Sequence, residues 1–153
     1  MYPYKEINLR GVLRLGEHVV KTWASTQASV ALSSGEAEYS AAVKGSSQAL
    51  GFVSIMRDLG VNDLSITCWC DSSAAIGIAN RSGVGKVRHI AVHLLWLQEK
   101  IRSKELQIRT IDGSKNPADL FTKHLDQHTL DRYSRELGLT AELGRAAAAP
   151  ALQ

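Results

Sequence analysis

Ser33-Ser34-Gly35-Glu36-Ala37-Glu38-Tyr39-Ser40-Ala41-Ala42 opens a long helical pattern. A serine three residues ahead of a glutamate is a capping box, in which the Ser33 hydroxyl takes a free amide of the first turn and the Glu36 side chain reaches back to the cap amide. Steps of three and four from Glu38 fall on Ala42, Gly45, Ala49, Phe52 and Met56, a small and apolar stripe suited to packing on a sheet. The helix is expected to run to about Asp58, where Leu59-Gly60 supplies a glycine for the left-handed turn that ends it.

Toward the N-terminus, Gly11-Val12-Leu13-Arg14-Leu15 and His18-Val19-Val20-Lys21-Thr22-Trp23 flank Gly16-Glu17, which predicts a hairpin. Toward the C-terminus, Leu64 to Cys70 reads as a buried strand running directly into Asp71-Ser72-Ser73 and a short helix, Ala74 to Asn80. Strand into helix is the unit of an α/β fold. A basic, glycine-bearing loop from Arg81 to Arg88 follows, then a helix from His89 to about Ser103 and an alternating strand from Glu105 to Ile111. Asn116-Pro117 begins another helix, with asparagine at the cap and proline at the first helical position. A last amphipathic stretch, Leu130 to Leu137, ends at Gly138, and the alanine-rich tail from Arg145 onward is expected to be frayed.

With 153 residues, 44% of them hydrophobic and 22% charged, the chain can bury one core and is unlike a disordered sequence. No apolar run approaches the ~20 residues that span a bilayer, and no secretory leader is legible at Met1, so an intracellular protein is expected. Eighteen Lys and Arg against 15 Asp and Glu leave a net charge of +3, a mild bias that suits a phosphate-bearing partner. Cys68 and Cys70 share one face of their strand. With no second cysteine pair to complete a four-ligand zinc site, they read as reduced core thiols.

Three acids stand at element starts. Glu38 heads the packing stripe, where an uncompensated carboxylate is costly, so it calls for a bound cation, a salt bridge or an exposed first turn. Asp71 ends a strand, where open α/β sheets place ligand-binding groups, although it could equally cap the next helix. Asp119 falls in the first turn of a helix, which an acid stabilises whatever its function. Taken together, the three suit the holding of divalent cations for phosphoryl chemistry.

The segments Val30-Ala31-Leu32-Ser33-Ser34-Gly35-Glu36-Ala37-Glu38-Tyr39, Cys70-Asp71-Ser72-Ser73-Ala74-Ala75-Ile76, Lys86-Val87-Arg88-His89-Ile90 and Asn116-Pro117-Ala118-Asp119-Leu120-Phe121-Thr122-Lys123, in this order, resemble the ribonuclease H domain of copia-type retrotransposon Pol polyproteins. The resemblance covers about Gly11 to Leu125. It implies an α/β fold, a ribonuclease H-like mixed sheet flanked by helices, and cleavage of the RNA strand of RNA/DNA hybrids with two magnesium ions (Mg2+). Glu38, Asp71 and Asp119 then correspond to three of the family's four catalytic, metal-holding acids.

The family's first aspartate lies on a central strand that precedes the hairpin, and here no aspartate stands before Gly11. The expectation is therefore an N-terminally truncated domain that lacks its first, central strand. Its activity turns on that loss, and the alternative is an inactive fragment that binds nucleic acid or the rest of the polyprotein. Ala91 also stands where the family usually has an acid, and the Gly113-Ser114-Lys115 loop lacks the mobile histidine common in ribonucleases H.

Lys86, Arg88 and His89 match the family's basic motif and are the expected nucleic-acid contacts, with Arg81, Lys100, Arg102 and Lys104 nearby. Each also suits a solvated face, and His89 equally suits a helix cap. The implied partners are an RNA/DNA hybrid and the reverse transcriptase part of the same polyprotein. The expected organisation is an unassigned segment over 1–10, a ribonuclease H-like domain over 11–125, a C-terminal helix over 126–140 and a disordered tail over 141–153.

Overall fold

The computed structural model describes residues 8–26, 31, 33–83, 85, 95–121 and 124–139. The hairpin is present and longer than expected. Strand β1 (Asn8–Leu15) pairs antiparallel with β2 (His18–Thr26) around a turn in which Gly16 has φ +58°, so the hairpin begins inside the segment left unassigned by sequence. Gly11 lies opposite Trp23 in the register, and the indole covers it so closely that a Cβ on Gly11 would stand 2.0 Å from Trp23 Cζ2.

Helix α1 (Ser34–Asp58) starts where the capping box places it, with the Glu36 amide donating to Ser33 Oγ at 3.2 Å. It stops at Leu59-Gly60, where Gly60 takes φ +88°. The buried face is rotated from the expected one. It is centred on Tyr39, Ala42, Val43, Ser46, Ala49 and Val53, and Glu38 is exposed beside it. The physical reason is that Tyr39, with 0% exposure, is the large group that must be covered, and it lies about 100° around the helix from Glu38.

Strand β3 (Thr67–Cys70) is shorter than the Leu64 to Cys70 expectation and pairs in parallel with β4 (Gln107–Thr110). It is covered on one face only. Cys70 is buried and Cys68 half-buried, both as free thiols, while Trp69 between them is 56% exposed, which corrects the expectation of a fully buried strand. Parallel strands need a crossover of a dozen or more residues, and here it includes α2 (Ser73–Asn80) and α3 (Trp96–Arg102). The first half of the helix expected from His89 falls outside the described residues.

The helix expected after Asn116-Pro117 is instead a single 3-10 turn over Pro117–Phe121, preceded by another over Gly113–Lys115. Asn116 caps it as expected, its Oδ1 accepting from the Ala118 amide at 3.2 Å. Helix α4 (Gln127–Glu136) is capped by Asp126 and ends at Gly138, φ +66°.

Tyr39, Leu97 and Leu106 anchor a core shared by α1, α2, α3 and the β3–β4 pair, and each buried Leu contributes roughly 2 kcal/mol. Among the described residues the four strands form two separate two-stranded sheets, β1–β2 and β3–β4, not one mixed sheet. Two strands alone are marginal in water. Here α1 supports both pairs, touching β1 of one and β3 of the other.

Candidate active site

Between the two sheets lies a cavity of about 650 Å³, and Glu38, Asp71 and Asp119 all line it. They arrive from three different elements: the first turn of α1, the residue just past β3, and the 3-10 turn at 117–121.

Asp71 is exposed at the C-terminal end of β3, and it does not cap the helix that follows. Ser72 does that, its Oγ accepting from the Ala75 amide at 3.2 Å, so the cap leaves the Asp71 carboxylate facing the cavity. Asn116 Nδ2 donates to Asp71 Oδ2 at 3.4 Å, a long contact, and Gly113 packs against the same carboxylate. Because Asn116 also caps the 117–121 turn, one side chain ties Asp71 to the element that carries Asp119. Asp119 itself is buried, with its amide donating to the Asn116 carbonyl at 3.2 Å.

The expectation that Glu38 points into the packing face is corrected: it stands on the solvent side of that face, at the cavity rim. Its charge and that of Asp71 are both felt at Cys70. Burial pushes the Cys70 thiol up to about 11; a backbone hydrogen bond with Ser72 opposes the rise, and the neighbouring Cys68, Asp71 and Glu38 add to it. Cys68 is also raised by burial, eased by the Ser46 hydroxyl. Both thiols therefore stay protonated at neutral pH, as expected of structural cysteines.

Two sets of contacts not expected from the sequence fix loops of the fold: α4 on the loop beside Asp71, and Gln98 on the start of the basic loop. Tyr133 Oη and Arg132 Nη2, both on α4, donate to the Ser114 carbonyl at 2.9 and 2.6 Å, so the C-terminal helix is fastened to the loop that abuts Asp71. Gln98 on α3 is buried, and its Nε2 donates to the carbonyls of Ile78 and Gly83 at 2.9 and 3.0 Å while its Oε1 accepts from the Gly83 amide at 2.8 Å. It thereby fixes the start of the basic loop. A polar residue in the apolar run Leu94-Leu95-Trp96-Leu97 onward was the available signal, since a buried amide implies partners.

Lys86, Arg88 and His89 lie outside the described residues. Of the other basic groups, Lys100 is paired with Glu105 at 2.7 Å and Arg102 donates to Ser82 at 3.0 Å. An exposed ion pair of this kind adds little stability. It does draw Lys100 away from the role of a free phosphate contact.

Magnesium takes near-octahedral oxygen ligands at about 2.0–2.1 Å, so an ion site requires carboxylates converging on one point. Among the described residues no three His, Cys, Asp or Glu side chains are gathered closely enough to hold an ion. Glu38, Asp71 and Asp119 line a common space without being gathered into a three-ligand cage. What the geometry offers is an acidic rim around a cavity with a partly apolar floor.

The chain is similar to three curated proteins, each named a retrovirus-related Pol polyprotein from a plant transposon. It is 29% identical over 120 residues to that of transposon TNT 1-94 of Nicotiana tabacum, covering 77% of this chain and 9% of that protein. It is 26% identical over 130 residues to that of RE2 and 25% over 131 residues to that of RE1, both of Arabidopsis thaliana, covering 84% of this chain and 9% of each. The related stretch is thus a small part of each of these proteins. No family model matches the chain, and no solved structure matches it. No helix among the described residues is long and apolar enough to cross a membrane.

Proposed function

We propose that this chain, a relative of the Pol polyproteins of plant transposons, is a ribonuclease H-like domain that acts on the RNA strand of RNA/DNA hybrids, with Glu38, Asp71 and Asp119 as its acids. The observation that carries the reading is that three acids, distant in the chain, line one cavity at the junction of α1, β3 and the 117–121 turn. Their order and local sequence match the resemblance, and Ser72 caps α2 in place of Asp71. The proposed partners are the hybrid, whose phosphates the Lys86, Arg88 and His89 segment would follow, and the reverse transcriptase part of the same polyprotein. Magnesium dependence belongs to this proposal, as does an intracellular setting in a cytoplasmic particle or the nucleus.

The chain's own contribution is positional. Asn116 contacts Asp71 at the strand end, Ser72 caps α2 in place of Asp71, α4 braces the loop beside it, and Gln98 braces the start of the basic loop. The test is cleavage of a labelled RNA/DNA hybrid with and without magnesium. Magnesium-dependent cleavage by the wild-type chain, lost in Glu38→Gln and Asp71→Asn, is the expected result, and cleavage unaltered in those variants would sink the assignment.

A second reading is favoured by the absence of a gathered three-ligand set among the described residues. On it the chain binds nucleic acid or polyprotein without cutting. Salt-sensitive hybrid binding with no cleavage at any magnesium concentration distinguishes the two.

A further inference from the structure

We propose that the uncovered face of the β3–β4 pair is a site for an unpaired nucleotide, whose base stacks on Trp69 and whose phosphate is met by Arg109. It belongs to a different part of the chain from the Lys86, Arg88 and His89 segment, and it stands whether or not the acids beside it support hydrolysis.

Side chains alternate across a strand, so β3 sends Cys68 and Cys70 toward the core and Thr67 and Trp69 to the other side. The parallel register sets Thr67 beside Gln107 and Trp69 beside Arg109, and all four are exposed. This face therefore holds one aromatic, one cation and two neutral hydrogen-bonding groups, with no acid among them. A lone exposed aromatic is ordinary on a protein surface. What sets Trp69 apart is the state of its neighbours. Arg109 is turned along its own strand, its Nη2 donating to Gln107 Oε1 at 3.0 Å, and among the described residues no carboxylate pairs with it. Nor does Arg109 cover the indole, since the cation–ring contact found among the described residues is that of Arg132 with Tyr133. Glu105, the acid two positions ahead of Gln107, is engaged by Lys100 at 2.7 Å. The ring thus stands uncapped beside a guanidinium that keeps donors to spare.

Those are the parts of a single-strand site. Every base has a π-face that stacks on an aromatic ring, whatever its identity. A base inside a duplex keeps its faces on its neighbours, so the base that stacks here must be an unpaired one. The guanidinium fork matches a phosphate, and Gln107, whose Oε1 is taken by Arg109, keeps its Nε2 as a donor for a base edge. A protein partner suits the face less well. Aromatic anchors of protein interfaces sit in well-packed, desolvated surroundings, whereas the groups that share this face with Trp69 are polar. Trp69 also borders the acid-lined cavity, two residues ahead of Asp71, so a strand held here would run beside the acids.

The test is fluorescence anisotropy of end-labelled dT and U octamers and of a blunt RNA/DNA hybrid, titrated with the intact chain as wild type, Trp69→Ala, Trp69→Phe and Arg109→Gln. Trp69→Ala should weaken octamer binding roughly fivefold to hundredfold and leave hybrid binding within about twofold, while Trp69→Phe, which keeps a ring, should bind much as wild type does. Arg109→Gln should reduce the slope of log affinity against log salt by about 0.7, the share of one single-strand phosphate. Either octamer binding in this way supports the site, and the tighter one names the strand, RNA or DNA, that supplies the nucleotide. An abasic octamer bound as well as dT would mean phosphate contact without stacking and would overturn the proposal. Octamer binding that is absent, or unchanged in Trp69→Ala, overturns it too, as does a loss shared equally by octamer and hybrid. A wild-type dimer in sedimentation that Trp69→Ala dissolves, with octamer affinity unchanged, would make a second copy the occupant and equally overturn it. Arg109→Gln and the abasic octamer keep the test decisive should Trp69→Ala unfold.

Discussion

Replacing Gln98 with leucine removes a side chain of similar size and leaves three backbone groups without their partners: the carbonyls of Ile78 and Gly83 and the amide of Gly83. A neutral hydrogen bond in a folded protein is worth about 1 kcal/mol net, so three set a scale of about 3 kcal/mol. Gly83 is exposed and its groups recover water in part. Ile78 is buried and sits in the last turn of α2, where carbonyls lack helical partners, so its loss costs the full orphan penalty of about 1–3 kcal/mol. The expected net destabilisation is about 2–3 kcal/mol, which lowers the urea midpoint by roughly 1 M for a slope near 2 kcal/mol per M. Gln98→Glu should be worse at neutral pH, because it sets a buried charge against two carbonyls, and should recover as the acid protonates. The Gly83 amide, donor to Gln98 Oε1, should exchange faster in both variants. A midpoint within about 0.2 M of wild type for Gln98→Leu, or a Glu variant milder than the Leu variant at pH 7, would refute the reasoning.

The remaining predictions concern the two ends of the fold. The Thr129 amide and hydroxyl both donate to the Asp126 carboxylate at the α4 cap, holding it below its ordinary value of 3.8. A depressed acid contributes stability above its unfolded value, and that contribution fades as pH falls through the folded one. Thermal unfolding of wild type should therefore lose stability below about pH 4 more steeply than Asp126→Asn, which keeps the acceptor without titrating; parallel pH profiles for the two would count against the cap. At the hairpin, Gly11→Ala places a Cβ 2.0 Å from Trp23 Cζ2, so the indole must move. A loss of about 1–3 kcal/mol in denaturant unfolding, with an altered tryptophan emission, is expected from overpacking of this kind, and an unperturbed spectrum would show that the indole does not lie over Gly11.

The parts of this structure that were legible in the sequence are those whose causes lie within three or four residues. Ser33 with Glu36, Asn116 with Ala118, and the glycines at 16, 60 and 138 each close a local hydrogen-bonded ring or take a backbone angle that side chains resist, so the residues themselves mark where elements begin and end. The hairpin, α1 and the strand-to-helix turn at Asp71 follow from such signals. The 117–121 segment departs from them: a good cap predicts a helix, but only the Pro117–Phe121 turn forms among the described residues.

What only the tertiary structure decided is which face of each element is covered, because burial depends on partners far along the chain. The stripe read through Glu38 is small and apolar, but the packing of α1 on α2 and β3 buries the face through Tyr39, leaving Glu38 at a cavity rim instead of within a core. The same packing put Asp71 and Asp119 on that rim, placed Tyr133 against the loop beside Asp71, and kept the two strand pairs separate among the described residues. Local sequence determines where strands and helices start; long-range burial determines what they enclose, and here they enclose a space lined by three acids and by residues of both strand pairs.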